Sequence, residues 1–267
     1  MLTFGLGPVF AAVPPAQQGQ TIAGTDIILL ADENYFPAHV PAASAGAELS
    51  GLSTPVIVNF NPSGCSGPVA SWPAEAQAAF NHAASLWSGF LNGNHPIEID
   101  ACWRTDLGSG SLGRARPVTL HLNFSGAPVA NTHYPAALAN QLAGSDLNHA
   151  DGTDWDGNGL DADSEIRVDL NGNRANWYFG LTGNTPGTDY NFVAAALHEI
   201  GHGLGLIGSM SIDDGQGFAE CTGITGVGCW GFGSGSPYAY DRYTENGSGQ
   251  TLLNTNQFPN PSTALAA

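Results

Sequence analysis

With 267 residues, 42% of them hydrophobic, the chain can bury one sizeable core, or one core and a small appendage, and it is not a disordered polypeptide. The net charge is −17 and all six basic residues are arginine. Phosphate backbones and anionic lipid would repel such a surface, so neither nucleic acid nor a membrane surface is expected as a partner. Charged residues make up only 11%, against 36 glycines and 17 prolines, which predicts long, turn-rich stretches between elements.

Residues 1–18 carry an apolar run ending in small residues but lack a basic leading region. They read as a truncated secretion signal, which makes the protein a secreted one. Residues 19–53 read as an N-terminal arm or pro-segment with one short apolar stretch, Asp26 to Leu30. From residue 54 to 267 we expect a single domain. Thr54–Asn61 is β-branched and alternating, so it predicts a strand. Ser71, Pro73 and Glu75 mark a helix start, with Ser71 as the cap. Phe80, Ala83, Ala84, Trp87 and Leu91 then follow at helical spacing as its buried stripe. Ile97–Trp103, Val118–Phe124 and Glu165–Asn171 read as further strands, and Ala137–Gly144 as a short helix or turn. A second clear helix runs from about Asp189 to Gly203, after which periodicity fades. This order predicts an α+β fold, a mixed sheet with one helix packed along it and a second helix beneath, facing a cleft.

Four cysteines, Cys65, Cys102, Cys221 and Cys229, contain no CxxC pair, which excludes zinc-finger spacing. Of the three possible connectivities, Cys65–Cys102 and Cys221–Cys229 is the expected one, with both bridges suited to an extracellular protein.

The chemistry is concentrated in the second helix. His198 and His202 are four residues apart, so both imidazoles leave one helix face and can share a metal ion. Glu199 is turned about 100° from His198, beside the metal rather than on it. Zinc acidifies a water molecule, and a carboxylate so placed takes the proton as the water attacks a carbonyl. Phe192, Val193, Ala196 and Ile200 repeat at helical spacing and should pin the helix to the core. The other six histidines (His39, His82, His95, His121, His133 and His149) show no ligand spacing.

The stretch HEIGHGLG, residues 198–205, resembles the metzincin signature, in which Gly205 turns the chain toward a third ligand three residues later. That position is Gly208, which cannot bind metal. The stretches beginning at Ala127, the run from Asn176 to Gly187, the zinc helix, and Ser236–Gly249 are together similar to bacterial secreted zinc metallopeptidase-like proteins, some of which carry protease-associated domains. The resemblance implies a zincin-like catalytic domain acting on protein or peptide substrates. It also implies a further histidine and a methionine turn beyond a segment like Asn260–Leu265. The methionines here are Met1 and Met210, so the domain is expected to be C-terminally incomplete, its last part irregular, unless Asp213, Asp214 or Asp241 supplies the third ligand.

A second cation is suggested by Asp154, Asp156, Asn158, Leu160 and Glu165, which fit positions 1, 3, 5, 7 and 12 of a calcium loop, with Gly159 at the turn. A strand rather than a helix follows, so the expected role of Ca2+ is structural. The leading expectation is therefore zinc-dependent peptide-bond hydrolysis with Glu199 as general base, most simply that of a metalloendopeptidase. The alternative is a catalytically inactive, calcium-stabilised secreted binding or adhesion module on the same scaffold.

Overall fold

The computed structural model describes residues 53–148, 164–181, 184–215, 221–231 and 235–266, together with the backbone of 20–23 and 27–30. The 1–18 segment and the loop ligands Asp154, Asp156, Asn158 and Leu160 lie outside the described residues.

Eight strands and three helices position the site: β1 (Gln20–Ala23), β2 (Ile27–Leu30), β3 (Val56–Phe60), α1 (Ala74–Phe90), β4 (Ile97–Arg104), β5 (Ser111–Pro117), β6 (Thr119–Leu122), β7 (His133–Pro135), α2 (Ala136–Ala143), β8 (Ile166–Asn171) and α3 (Phe192–Leu204). The fold is α+β with a mixed sheet. Five strands lie in the order β2-β5-β8-β4-β3. Strands β3, β4 and β8 are parallel, β5 runs antiparallel to β8, and β2 runs antiparallel to β5. The expected strand at Val118–Phe124 is β6, which belongs to a separate sheet ordered β1-β6-β7.

Strand alternation sorts β4 cleanly. Ile97, Ile99, Ala101 and Trp103 enter the hydrophobic core together with Ile166, Val168 and Leu170 of β8. Phe80 of α1 and Phe192 of α3 join the same cluster, so both helices lie on one face of the sheet rather than above and below it. Aromatic rings tie the layers: Trp72 stands 4.7 Å from Trp103, and Trp103 5.8 Å from Phe192. Burying a ring such as Phe192 stabilises the fold by about 1.5–3 kcal/mol.

The opposite face is polar yet also buried. Asp169 accepts hydrogen bonds from Arg114 Nε at 2.8 Å and Arg167 Nε at 3.0 Å, with Arg104 Nη1 at 3.4 Å. The segment around Cys65 closes over this face, anchored by the Cys65–Cys102 disulfide and by Arg167 Nη2 donating to Ser66 Oγ at 3.0 Å. A carboxylate shared among guanidinium groups satisfies the charges that burial would otherwise penalise. The second disulfide joins Cys221 to Cys229, so both expected bridges are present. Among the described residues no helix is long and apolar enough to cross a membrane.

Helix α1 begins at Ala74, one residue after Pro73, and has no side-chain cap. Ser71 therefore does not cap it. Pro73 fits the start because its missing N–H would have had no helical partner there.

Candidate metal centre

Helix α3 is capped at both ends by features readable in the chain. Asn191 Oδ1 accepts from Ala194 N at 2.9 Å, satisfying an otherwise orphaned N–H. Gly205 closes the helix in the left-handed region, φ 117°, where a Cβ would be strained and would also meet Pro135 Cγ at 2.9 Å. The helix approaches β8 closely: a Cβ on Gly203 would come within 2.2 Å of Ile166 Cγ2. Phe192, Val193, Ala196 and Ile200 are all buried, as their spacing predicts. Trp87 of α1 adds a polar tie, its indole N–H donating to the Leu197 carbonyl at 3.1 Å.

His198 and His202 emerge on the outer side of this rigid element. Their Nε2 atoms are 2.8 Å apart and the rings stand edge to face, 4.4 Å between centroids. The His202 Nδ1–H donates to the Leu206 carbonyl at 2.8 Å. That bond fixes the tautomer and leaves the Nε2 lone pair directed at His198, as in a metal-ligating histidine. Two nitrogens on a tetrahedral zinc at ~2.0–2.1 Å would stand about 3.3 Å apart. An opening of roughly half an ångström would therefore admit the ion. Partial burial, and then the nearness of the His202 imidazole, holds His198 below the ordinary histidine pKa. A lowered pKa favours the neutral ring, the form that binds metal.

Glu199 lies against β5 instead of solvent. It is completely buried, and its Oε1 lies 3.0 Å from where a Cβ on Gly113 of β5 would stand. The carboxylate is thus enclosed between α3 and the sheet while the two imidazoles face outward.

Among the described residues, no group of three His, Cys, Asp or Glu side chains is placed to hold a metal ion. Asp241 is fully buried and holds the turn after α3, accepting from Ser209 N at 2.9 Å, Tyr238 N at 2.7 Å and the Ser209 hydroxyl. Asp213 accepts from the backbone N–H groups of Cys221, Thr222 and Gly223 at 2.7–3.0 Å. Asp214 is exposed. Gly208 sits against Asp241, a Cβ there meeting Asp241 Oδ1 at 2.9 Å.

Glu165 is the one member of the calcium-loop set within the described residues. It is buried at the start of β8, its Oε2 accepting from Glu98 N at 2.6 Å and its Oε1 from Asn140 Nδ2 at 3.0 Å. Asn140 Nδ2 also reaches Asn148 Oδ1 at 2.9 Å and Asp146 Oδ1 at 3.3 Å. Burial pushes the Glu165 pKa up to about 8. His121 and His133 are core residues, as histidines without ligand spacing usually are, and burial lowers the His121 pKa to about 4.

Three features of the site escape a reading of motifs. Gly113 is one of three glycines, with Gly108 and Gly110, in a weakly patterned segment, and the Leu206 partner of His202 is a backbone carbonyl. The Asn140–Glu165 contact joins residues 25 apart. Only the Leu206 contact had a sequence signal, since a glycine closing α3 folds the next carbonyl back over the last turn.

Comparison with known proteins finds no family whose model matches the chain, no curated protein that matches it and no similar solved structure.

Proposed function

We propose that the protein is a secreted zinc-dependent peptidase of metzincin-like type. The observation that carries this reading is the convergence of His198 and His202 Nε2 atoms at 2.8 Å, with His202 oriented by the Leu206 carbonyl. His198 and His202 would hold zinc, which when bound polarises a substrate carbonyl and makes a water molecule more acidic. Glu199 follows His198 on the same rigid turn but is fully buried against β5; as general base it would have to turn its carboxylate toward that water, accept the proton and pass it to the leaving amine. The two disulfides and the acidic, lysine-free composition support an extracellular setting. Calcium held by Asp154, Asp156, Asn158, Leu160 and Glu165 would act structurally, before β8.

The second reading, an inactive calcium-stabilised binding or adhesion module, is favoured by one observation: no third ligand stands beside the histidines among the described residues. Metal analysis and peptide hydrolysis on the purified chain separate the two. The peptidase reading expects one zinc per chain, lost in His198→Ala and His202→Ala. It also expects Glu199→Gln to retain zinc while hydrolysis falls by roughly 10²–10⁴-fold. Zinc bound without hydrolysis in the parent chain would favour the module, and absence of zinc would sink the metal centre altogether.

A further inference from the structure

A cavity of about 330 Å³ opens where the parallel strands end, between the turn that follows β8 and the loop that leads from β4 into β5. Its polar walls are held by the backbone. Asn171 Nδ2 donates to the Gly108 and Ser111 carbonyls at 3.2 and 2.8 Å, Asn173 Nδ2 to the Thr105 carbonyl, and Asn176 Nδ2 to the Thr188 carbonyl at 3.1 Å. With their nitrogens so engaged, Asn173 and Asn176 keep amide oxygens that accept from no donor among the described residues. Leu107 and Ala175 supply an apolar part of the lining.

Among the described residues, Arg174 is the one ionisable side chain on this lining. It is held from two directions. The guanidinium carbon lies 4.6 Å from the centroid of the Tyr190 ring, and Nη2 donates to the Ser109 carbonyl. Tyr190 is tied in as well, its N–H donating to the Asn176 carbonyl at 2.9 Å. A ring and a carbonyl orient a guanidinium but leave its charge uncompensated. Among the described residues no carboxylate pairs with Arg174, and its buried Nε–H has no acceptor, a costly state for a charged donor. Arg104, Arg114 and Arg167, by contrast, all share Asp169. In a chain of net charge −17, one such cation favours a single negative charge, whereas the field of the many carboxylates disfavours a multiply charged anion.

We infer that this cavity binds a small carboxylic acid with an N–H or O–H donor beside the carboxylate, either a free amino or hydroxy acid or the C-terminal residue of a peptide. The carboxylate takes the Arg174 guanidinium, whose planar fork matches it. The amide oxygens of Asn173 and Asn176, which repel a bare anion, accept from the neighbouring donor. Leu107 and Ala175 leave room for a short apolar side chain, and the volume is at the lower end of small-molecule sites. Tyr190 stands two residues before α3 begins, whereas His202 lies in the last turn. At 1.5 Å per residue the start of α3 and His202 are roughly 15 Å apart. The cavity is therefore separate from the histidines, and the inference does not depend on the peptidase reading.

The test is calorimetric titration of the full-length chain with L-alanine, standing for the free acid, and N-acetyl-L-alanine, standing for a peptide end. N-acetyl-L-alanine amide lacks the carboxylate, propionate lacks the donor, and inorganic phosphate reports a general anion site. We expect saturable binding of at least one of the first two, with a Kd of roughly 1 mM or tighter, and the tighter of them identifies the source. The amide, propionate and phosphate should each bind at least tenfold more weakly. Arg174→Gln should weaken binding at least tenfold with an unchanged Tm. If that variant does not fold, Ala175→Leu decides, since it keeps the charge and fills the cavity; it too should cost at least tenfold. The His198→Ala/His202→Ala double variant should bind as the parent chain does, because zinc itself attracts amino acids. Absence of saturable binding overturns the inference, as does a control ligand that binds as tightly as the acids. Binding that survives the cavity variants, or that disappears with the two histidines, overturns it as well.

Discussion

Glu199 rests on Gly113: a methyl group on that glycine would stand 3.0 Å from Glu199 Oε1, 3.0 Å from the Asp169 carbonyl and 3.0 Å from Leu170 Cδ2. The side chain can shift by a few tenths of an ångström, whereas the carbonyl belongs to the neighbouring strand. Gly113→Ala should therefore fold, with a loss of about 1–3 kcal/mol from overpacking, read from the denaturant midpoint. Because the nearest neighbours of that methyl group are Glu199, Asp169 and Leu170 and neither histidine, zinc content should be unchanged while hydrolysis drops at least tenfold. Equal losses of zinc and activity would mean that the whole helix had moved, and that Gly113 acts on more than the carboxylate.

The His202 orientation depends on how α3 ends. Gly205 supplies a left-handed residue, and the chain returns so that Leu206 C=O accepts the Nδ1 proton. Gly205→Ala places a Cβ in a strained conformation and against Pro135. We expect zinc affinity to fall by roughly 10–100-fold, the range for losing a partner behind a metal-bound histidine, with no ligand changed. Titration against a chelator of known affinity measures it, and unaltered affinity would show that the Leu206 bond is incidental.

The features that were legible in the chain are those encoded by neighbours. Phe192, Val193, Ala196 and Ile200 announce α3, and Ile97–Trp103 alternates as a strand whose two sides differ in character. What alternation could not tell is that the polar side is buried too. That depends on Arg114 and Arg167 meeting Asp169 and on a disulfide-tethered segment closing over them. Strand β5 went unread for the same reason. Its sequence, SLGRARP, mixes glycine, proline and two arginines, and it is a strand because β8 and β2 pair with it. The outward convergence of the histidines was readable from their four-residue spacing. The enclosure of Glu199 was not, because it is set by a glycine 86 positions away in the chain, on β5.

The disulfides should contribute unequally. Cys65 and Cys102 are 37 residues apart, Cys221 and Cys229 only 8. Loop-closure entropy gives about 4 kcal/mol for the longer loop and about 2.5 kcal/mol for the shorter. The longer bridge also fastens the segment over the Asp169 cluster. Replacing Cys65 and Cys102 together by serine should therefore lower stability more than replacing Cys221 and Cys229. Denaturant unfolding of the two double variants decides it, and the reverse order would show that the shorter bridge stabilises structure beyond its own loop.

Glu165 sets a prediction for pH, with the sign determined by burial. Its folded pKa of about 8 lies above the ordinary 4.5, so the folded state favours the neutral acid. The stabilisation is complete below pH ~4.5 and is lost as pH rises through about 8, because the unfolded chain gives up the proton first. The span corresponds to on the order of 5 kcal/mol. His121 slopes the other way: its pKa is lowered to about 4, so its contribution is present above pH ~6.5 and is lost as pH falls through 4. In calcium-free buffer, Glu165→Gln should flatten the decline between pH 5 and 8 and leave the acid limb in place. Calcium adds a second arm to the experiment. A carboxylate that binds Ca2+ must be ionised, so calcium should raise the Tm more at pH 8 than at pH 5 in the parent chain, and far less in Glu165→Gln. A calcium shift that is the same at both pH values and survives the substitution would remove Glu165 from the calcium site. A pH profile unchanged by Glu165→Gln would instead show that this side chain is not the group whose burial shapes stability above pH 5.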